Sequence, residues 1–500
     1  MSDPGDPARR GVMTEQVVVV GGGPTGLMLA CELGLAGVRT MVLERRRQPA
    51  ERSQGMGIHA RTLATLASRG LAERIPDGQM FPWPRTPFAL FWLDLSAAGE
   101  DNSMFVFPQW RTEQLLAERA VELGVEIRRG HEVQSLRQDE NGVDLRVSGT
   151  DGAYDLRARY VVGCDGEDSR VRELTGVGFP AQGIPYYGTI ADVELDSEEF
   201  TQFDSGLHPA GMFAAIPIEA GTVRLMTVEF DRERPGPVGE VDPGEVLASV
   251  ERVTGKRPRL AHSPHWAVRF GNHTRLADRY REGRVFLAGD AAHVLFVSGT
   301  PGLNTGIQDA VNLGWKLAAH INGWAPPGLL DSYESERRPV GERVCLHARA
   351  QLALVYPMDR IQALREFFGE LLKLGVVNRH LLEMTTAFRY PMPAQDSHPL
   401  VGEVCPQVEL VTAAGSTSVA ATLAGGRGVV LDLSGGTADV GVAAGWASRV
   451  DVVSAKPVEP VGAAVVVVRP DGYVGYADPG GEDTDGLRAA LCHWFGAPAD

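Results

Sequence analysis

The stretch that decides the fold is Gln16-Val17-Val18-Val19-Val20-Gly21-Gly22-Gly23-Pro24-Thr25-Gly26. A β-branched run leads into a glycine turn, an apolar stretch follows, and a second run then reads Thr40-Met41-Val42-Leu43-Glu44. This order predicts a strand, a turn, a helix and a second strand. Gly21, Gly23 and Gly26 match G-x-G-x-x-G, whose glycines allow a tight turn and a close approach to a pyrophosphate. The pattern predicts a dinucleotide site and leaves the choice between NAD and FAD open.

The residues around this turn fit the same site. Pro24 and Thr25 begin the predicted helix, whose N-terminal N–H groups favour anions. Glu44 ends the second strand, about 20 residues downstream, where an acidic side chain accepts hydrogen bonds from a ribose. Arg45 follows it as the first of three arginines, which indicates either a solvated turn or a phosphate or ribose contact.

Two later segments repeat the pattern of a buried strand that runs into an acidic turn. Residues 159–164 precede Asp165, and residues 283–288 precede Gly289 and Asp290. Gly302 then opens a predicted helix with one apolar face. Asp290 is placed within reach of ribityl hydroxyls, and the positive end of the helix points beyond it. These two motifs favour FAD over NAD.

The glycine turn, the Cys-Asp-Gly turn and the Gly-Asp motif together resemble the para-hydroxybenzoate hydroxylase superfamily of FAD monooxygenases. Within it, the chain most resembles the aromatic polyketide hydroxylases of actinomycetes, of the angucycline and anthracycline type, and residues 329–339 and 469–474 share that resemblance. The resemblance implies an α/β fold: a Rossmann-like FAD-binding domain, an inserted β-sheet substrate domain and a C-terminal thioredoxin-like domain. The last lacks CxxC and cannot perform dithiol chemistry.

The resemblance also implies contacts along the FAD. They are Gly21, Gly23 and Gly26 at the pyrophosphate, Glu44 at the ribose with Arg45 beside it, Gln109 along the flavin chain, the backbone of Val133 near the adenine, Asp165 and Gly166 at a shared FAD and nicotinamide contact, Asp290 at the ribityl chain, and Gly302, Leu303 and Asn304 at the isoalloxazine. Ordinary packing or a surface position is the alternative for Gln109, Val133 and Arg45.

Pattern changes along the chain predict four segments. Residues 14–178 form the first part of the FAD-binding domain, and residues 179–275 form the substrate sheet, with strands at 211–218, 222–230 and 263–270. Residues 276–392 complete the FAD-binding domain and add connecting helices, one of which spans 359–374 with Asp359 as its N-cap. Residues 393–500 form the thioredoxin-like domain, whose final helix spans 485–495.

The implied activity is NAD(P)H- and O2-dependent hydroxylation of a planar polycyclic aromatic polyketide in antibiotic biosynthesis, through a flavin C4a-hydroperoxide. A single glycine fingerprint predicts that NADPH or NADH docks transiently. The flavin performs the chemistry, and no base is assigned, because His293 fits a structural hydrogen-bonding role as well as a catalytic one. A Baeyer–Villiger oxygenase on the same fold and a flavin-binding relative without oxygenation remain the alternatives.

Composition narrows the classes of partner. The 48 Lys and Arg against 64 Asp and Glu give a net charge of −16, which argues against nucleic acid and anionic membranes. The 5 cysteines are scattered without metal-ligand spacing, which predicts a reducing cytosol and no metal site. No apolar run approaches the ~20 residues of a spanning helix, and the N-terminus does not resemble a signal peptide. We expect a cytoplasmic protein, and a homodimer is compatible with these observations.

Two further features concern the substrate side. Aromatic residues are dense between 81 and 110, where they form either core or a stacking surface for a planar ligand. Relatives usually continue His-x-His-x-Pro-x-Gly-Gly-Gln-Gly after the Gly-Asp motif, whereas Val297, Thr300 and Pro301 here replace the proline, the second glycine and the glutamine. Pro301 lacks an N–H and Thr300 resists positive φ. We expect a stiffer loop and a more apolar pocket, with neutral variation as the alternative.

Overall fold

The computed structural model describes residues 13–95, 103–196, 200–219, 221–264, 266–271, 273–296, 301–386, 389–390 and 398–499. Val297 and Thr300 lie outside these ranges, so the expectation of a stiffer loop stays a prediction. The first strand begins at Met13, before the β-branched run that was expected to start at Gln16.

The first part of the chain alternates strands and helices. Its elements are β1 (Met13–Val20), α1 (Pro24–Leu35), β2 (Thr40–Glu44), β3 (Gly57–His59), α2 (Ala60–Ala67), β4 (Phe81–Trp83), β5 (Arg85–Phe88), β6 (Phe91–Asp94), β7 (Met104–Val106), α3 (Gln109–Glu122), β8 (Glu126–Arg129), β9 (Glu132–Gln138), β10 (Val143–Gly149), β11 (Gly152–Gly163) and α4 (Arg170–Thr175). The predicted strand–helix–strand around the glycine turn is confirmed by β1, α1 and β2.

The middle of the chain is mainly strand. It contains β12 (Ala181–Gln182), β13 (Tyr186–Glu194), β14 (Asp204–His208), β15 (Gly211–Glu219), β16 (Thr222–Phe230), β17 (Gly239–Glu240), α5 (Pro243–Thr254), β18 (Trp266–Phe270) and β19 (Thr274–Leu276). Six of these strands form one antiparallel sheet in the order β14-β15-β16-β13-β18-β17. The strands predicted at 211–218 and 222–230 are confirmed, whereas the one predicted from residue 263 begins only at Trp266.

The third part returns to the first sheet and then becomes helical. It comprises β20 (Arg281–Glu282), β21 (Val285–Leu287), β22 (His293–Val294), α6 (Pro301–Ile321), α7 (Ser332–Ala353), α8 (Met358–Leu371) and α9 (Gly375–Thr386). The predicted N-cap Asp359 was wrong, because α8 begins at Met358 and Pro357 is its N-cap residue. The predicted continuation of this helix to residue 374 was also wrong, since α8 ends at Leu371.

The last part forms a three-stranded sheet, a four-stranded sheet and helices. Its elements are β23 (Glu409–Thr412), β24 (Gly415–Ser418), α10 (Val419–Thr422), β25 (Gly428–Asp432), β26 (Val450–Ser454), β27 (Lys456–Pro457), β28 (Val465–Val468), β29 (Val474–Asp478) and α11 (Thr484–Phe495). Four strands pair in the order β26-β25-β28-β29. The predicted final helix is confirmed as α11, and Asp483 caps it by accepting a hydrogen bond of 2.8 Å from the Gly486 N–H.

The main sheet brings the three sequence motifs to one edge. Its order is β20-β21-β11-β1-β2-β8, and β1 pairs in parallel with both β2 and β11. Val20 lies opposite Leu43 and Gly163, and Gly163 lies opposite Leu287, so these strands end in register. Because ligands of open parallel sheets bind beyond the carboxyl ends of the strands, we expect the ligand site at this edge of the sheet.

Candidate functional site

The three fingerprint glycines have different surroundings. Gly21 has φ +112°, and a Cβ there would lie 2.2 Å from the Cys164 carbonyl oxygen. A Cβ on Gly26 would lie 2.0 Å from the Gly21 carbonyl oxygen. A Cβ on Gly23, by contrast, would meet no atom within 4 Å. The first and third glycines are thus required by packing, whereas the second leaves open space at the N-terminus of α1.

The third motif packs directly on the first. A Cβ on Gly289 would lie 2.5 Å from the Thr25 hydroxyl oxygen, and one on Gly306 would lie 2.3 Å from the same atom. The turn that carries Asp290 and the first turns of α6 therefore press against the start of α1. Gly21 packs on Cys164 in the same way, so the three sequence motifs meet at this edge of the sheet, and the space beside them is called the cleft below.

Asp290 is exposed to this cleft although protein surrounds it. Its Oδ1 would be 3.6 Å from a Cβ on Gly302, which places the carboxylate beside the N-terminus of α6. Loss of hydration raises the pKa of Asp290, and the Asp309 charge adds to this against the opposing effect of His293. An acceptor that lies beside a helix N-terminus and open space suits a ligand that carries hydroxyl groups.

The Asp165 carboxylate is engaged within its own turn. It accepts hydrogen bonds from the Ser169 hydroxyl at 2.5 Å, the Arg170 N–H at 2.7 Å and the Val171 N–H at 3.1 Å. Burial raises the pKa of Asp165, although these hydrogen bonds oppose the shift. The carboxylate therefore holds the start of α4 in place, and the ligand contact predicted for this turn stays a prediction.

Glu167, which the sequence did not single out, follows in the same turn. Its Oε1 lies 3.2 Å from a guanidinium nitrogen of Arg234, which reaches across from the loop after β16 and also pairs with Asp168 at 2.9 Å. Burial raises the pKa of Glu167 to about 7, and Asp168 and Asp290 contribute while Arg234 opposes. A buried acid in an irregular turn has no periodic sequence signal, which is why it was missed.

Glu44 lies at the adenosine side of the predicted site. Its carboxylate accepts the Gly22 N–H at 2.6 Å and the Arg46 N–H at 2.7 Å. Arg46 also pairs with Glu113 at 3.3 Å, and both Arg45 and Arg46 are exposed. Burial acts to lower the pKa of Arg46, but Glu113 and Glu44 raise it above its usual value. The arginine that the structure joins to Glu44 is Arg46, one residue beyond the predicted Arg45.

Gln109 and Val133 lie close to Glu44 along the chain's path. Gln109 begins α3 and donates from its side chain to Glu113 at 2.9 Å. Val133 is buried in β9, two residues after His131, whose N–H donates to the Glu44 carbonyl at 3.0 Å. Both therefore lie near the acidic corner formed by Glu44 and Glu113. Their ligand contacts stay predictions.

Asn304 is buried in the first turn of α6 and its side chain is occupied. Its Oδ1 accepts the His59 N–H at 2.8 Å and the Thr62 hydroxyl at 2.6 Å. Gly302 and Leu303 are partly accessible. Asn304 thus fastens β3 and α2 to α6, while the two residues before it lie closer to the open side.

His293 is completely buried, and its Nε2 lies 2.7 Å from Asp309 Oδ2. Asp309 also binds Arg337, another fully buried residue. Asp309 and Arg337 were not predicted as site residues, because only the apolar face of α6 was considered. The acidic residue Asp309 within this apolar helix, together with an arginine in the 329–339 segment, could have suggested a buried ion pair.

The aromatic segment divides between core and surface. Phe88 is buried and its ring stacks on Phe368 at 5.6 Å. Phe81 and Trp92 are exposed, and the Trp92 ring lies 5.9 Å from the ring of Phe203, another exposed residue just before β14. The exposed Trp92–Phe203 pair connects the β5–β6 hairpin with the antiparallel sheet.

No group of three or more His, Cys, Asp or Glu in the described part of the chain could hold a metal ion. None of the helices found in the same residues has the length and apolar character that a membrane span requires.

Known proteins resemble this chain over almost its whole length. A streptomycete 12-dehydrotetracycline 5-monooxygenase/anhydrotetracycline 6-monooxygenase, from Streptomyces rimosus subsp. rimosus, is 43% identical over 97% of this chain and 100% of its own. A dialkyldecalin synthase from Streptomyces rugosporus is 41% identical, also over 97% and 100%. The structure of CabE, an aromatic hydroxylase from angucycline biosynthesis, has a TM-score of 0.86, with 38% identity over 97% of this chain and 99% of that one.

Family models agree with this likeness. The FAD binding domain model matches residues 14–348, and the model for the C-terminal part of aromatic-ring hydroxylases matches residues 398–498. The predicted resemblance and the monooxygenase class are thereby confirmed, as is the mixed α/β fold. The chain belongs to the FAD-binding family of class A flavoprotein monooxygenases.

Proposed function

We propose that this chain hydroxylates a planar polycyclic substrate of the aromatic polyketide type, with O2 and NADPH or NADH as co-substrates. The observation that carries the proposal is the convergence of the three motifs on one cleft, at the edge where β1, β2, β11 and β21 end in register. Near full-length similarity to proteins named for tetracycline and angucycline oxidation supports the substrate class.

The residues at this edge fit FAD. The open space at Gly23 would admit the pyrophosphate, whose charge the N–H groups of Pro24's helix, α1, would stabilise. Gly21, Thr25 and Gly26 would shape that turn, and the acidic corner at Glu44 would accept the adenosine ribose. The remaining predicted contacts, at Arg45, Gln109, Val133 and Asp165, are part of the same proposal.

At the other end, Asp290 would accept hydroxyls of the ribityl chain, and Gly302, Leu303 and Asn304 would border the ring system. When bound, the FAD would accept a hydride from NAD(P)H and allow one oxygen atom of O2 to be transferred to the substrate. The partial positive charge at the N-terminus of α6 would stabilise negative charge on the reduced ring. The exposed Trp92 and Phe203 would stack on a planar ligand and shield the cleft from water.

Several finer points belong to the proposal as well. The antiparallel sheet between the second and third motifs would be the substrate domain, and the last unit would be thioredoxin-like without dithiol chemistry. The boundaries 14–178, 179–275, 276–392 and 393–500, transient docking of the nicotinamide, a homodimer and a cytoplasmic location stay predictions.

The test is product analysis under labelled oxygen. Purified protein is incubated with NADPH or NADH, 18O2 and a panel of tri- and tetracyclic quinones, and products are identified by mass spectrometry and NMR. A phenol that carries one 18O is expected. A labelled lactone would indicate the Baeyer–Villiger alternative instead, and absence of labelled product from every member would contradict the proposal.

The second candidate is a flavin-binding enzyme that does not oxygenate its substrate. The observation that favours it is the 41% identity to a protein named a dialkyldecalin synthase, which is as similar to this chain as the monooxygenases are. Consumption of a substrate by the FAD-loaded protein without NAD(P)H and without O2 would support this candidate. Strict dependence on both would exclude it.

A further inference from the structure

One buried carboxylate joins the parts of the cleft. Asp309 is completely buried, and its Oδ2 accepts the Gly289 N–H at 3.0 Å and His293 Nε2 at 2.7 Å. Its Oδ1 accepts Arg337 Nε at 2.6 Å. Three donors from three segments therefore meet on one side chain, and the first belongs to the residue directly before Asp290.

The arginine extends this connection to the start of α6. A second nitrogen of Arg337 donates to the Thr305 carbonyl at 3.1 Å, in the first turns of the helix that borders Asp290. A third donates to the Tyr390 hydroxyl at 2.9 Å, and the Tyr390 ring stacks on Tyr473 with centroids 3.9 Å apart. The arrangement holds the Gly289–Asp290 turn and the N-terminus of α6 in a fixed relation to each other.

The charge of this group is retained in spite of its burial. Burial acts to raise the pKa of Asp309, but the charges of Arg337 and His293 and their hydrogen bonds outweigh it and hold the pKa below its usual range. As a carboxylate, Asp309 only accepts, so the Gly289 N–H, His293 Nε2 and Arg337 must all point at it. An asparagine in its place would offer one acceptor oxygen and one donor NH2 group, so it could not accept from all three donors.

We propose that Asp309 is a positioning residue for the cofactor: through the Gly289 N–H and through Arg337 it fixes where Asp290 and the N-terminus of α6 meet the FAD. His293 is then a part of this support and does not act on the substrate. The inference rests on the FAD contact proposed for Asp290, and it is independent of which substrate the enzyme oxidises.

The test compares FAD affinity among folded apoproteins. Dissociation constants are measured by flavin fluorescence titration for the parent, Asp309→Asn, Asp290→Ala and the double variant, with the folded fraction checked by circular dichroism. Asp309→Asn should raise the Kd roughly tenfold or more, since a buried charged acceptor is lost. The double variant should bind FAD much more tightly than the product of the two single effects predicts, because Asp309 acts largely through Asp290.

Two further variants separate positioning from stability. Glu336→Gln is the matched control, because Glu336 is another buried carboxylate held by an arginine, Arg469, but it faces the C-terminal unit. It should lower stability and leave the FAD Kd of folded protein within twofold, because its hydrogen-bond partners are Asn312, Lys316 and Arg469 and not the residues of the turn. His293→Gln is the milder variant, to be used if Asp309→Asn does not fold, and it should weaken FAD binding by a smaller factor.

Each remaining outcome overturns the inference in a recognisable way. Parent-like affinity of Asp309→Asn, or of His293→Gln where the former does not fold, would remove the positioning role. Full additivity of Asp290→Ala with Asp309→Asn would show that they act separately. Equal weakening by Glu336→Gln would reduce the effect to general loosening. Parent-like affinity of Asp290→Ala would refute the contact on which the inference rests, whether or not the enzyme hydroxylates its substrate.

Discussion

Helix α6 passes through two buried charge clusters that have different surroundings. The cleft cluster, His293, Asp309 and Arg337, backs onto an open cleft in which Asp290 is exposed. The interface cluster, Asn312, Lys316, Glu336, Arg469 and Asp471, lies between α6, α7 and the C-terminal unit and is closed on all sides by protein. Glu336 and Arg337 are neighbours in α7, but Glu336 belongs to the interface cluster and Arg337 to the cleft cluster.

The comparison shows that similar chemistry can serve two purposes in one fold. Removing one partner from a buried ion pair is costly because the other charge stays behind unpaired. In the interface cluster, these buried ion pairs hold the C-terminal part of the chain against α6 and α7. In the cleft cluster, they hold the turn at Gly289, next to the exposed Asp290.

The largest effect is expected in the interface cluster. Arg469→Met removes the cation that lies 2.7 Å from Glu336 and 2.5 Å from Asp471, and two buried carboxylates then lose the arginine they share. We expect a loss of about 3–5 kcal/mol in the free energy of unfolding, measured by urea denaturation.

The matched control is Arg157→Met, because Arg157 also bridges two carboxylates, Asp139 and Asp144, each at 2.7 Å, but on the surface. Exposed pairs contribute little, so this variant should unfold almost as the parent does. Equal destabilisation by the two variants would contradict the role given to burial.

The glycine turn offers the second test, since two of its residues should fail differently. Gly26→Ala forces a Cβ to within 2.0 Å of the Gly21 carbonyl, so α1 must shift, and we expect a loss of about 1–3 kcal/mol in folding stability together with loss of FAD. Gly23→Ala meets no atom within 4 Å and should fold as the parent does while binding FAD more weakly. Thermal unfolding of the apoproteins and FAD titration separate the two effects.

How far the sequence could predict the structure differs between these regions. The glycine turn with its flanking strands and helix, and the strand at 222–230, follow from local patterns, because tight turns and continuous β-branched runs are local properties. The end of α8 was missed, because helical periodicity continued past residue 371 and only the three-dimensional context ends the helix at Leu371. The N-cap was misplaced because it is Pro357, two residues before Asp359, and α8 begins at Met358.

The site shows the same limit. Asp290, Glu44 and the glycines were found because motifs mark them, although their FAD contacts stay predictions. Asp309, Arg337 and Glu167 were not found, since each owes its surroundings to residues at least 16 positions away in the sequence, such as His293 and Arg234. Burial of a charged group depends on the whole fold, and a sequence pattern reports it poorly.

A smaller effect is expected at the exposed acid of the cleft. Asp290→Ala should weaken FAD binding about tenfold, the consequence of losing one hydrogen bond to a charged acceptor. Its folding stability should stay close to that of the parent, because Asp290 is exposed and its loss leaves the cleft cluster intact. The ratio of bound to free flavin after gel filtration measures the first effect. A variant that retains FAD as the parent does would remove Asp290 from the site.

The smallest expected effect is a pH dependence of folding stability that comes from Glu167, in the cleft, and not from Glu336, in the interface cluster. Burial raises the pKa of Glu167 to about 7 in the folded chain, against an ordinary value of 4.5. The folded state therefore binds more protons than the unfolded state between these values, and stability that is present below pH 4.5 is lost as the pH rises through 7. Between pH 6 and 8 the parent should lose about 1 kcal/mol that Glu167→Gln retains.

Glu336 should not contribute to that slope. Burial acts to raise its pKa, but Arg469 and Lys316 lower it well below the usual range, so its stabilisation is lost only in acid. Glu336→Gln should therefore be less stable than the parent, and its stability should fall less between pH 6 and 8, because loss of Glu336 further lowers the pKa of Lys316, which burial has already lowered to about 8. Urea denaturation at both pH values measures all three proteins. If Glu167→Gln follows the slope of the parent, the pH dependence arises elsewhere and the cleft differs from the interface only in its geometry.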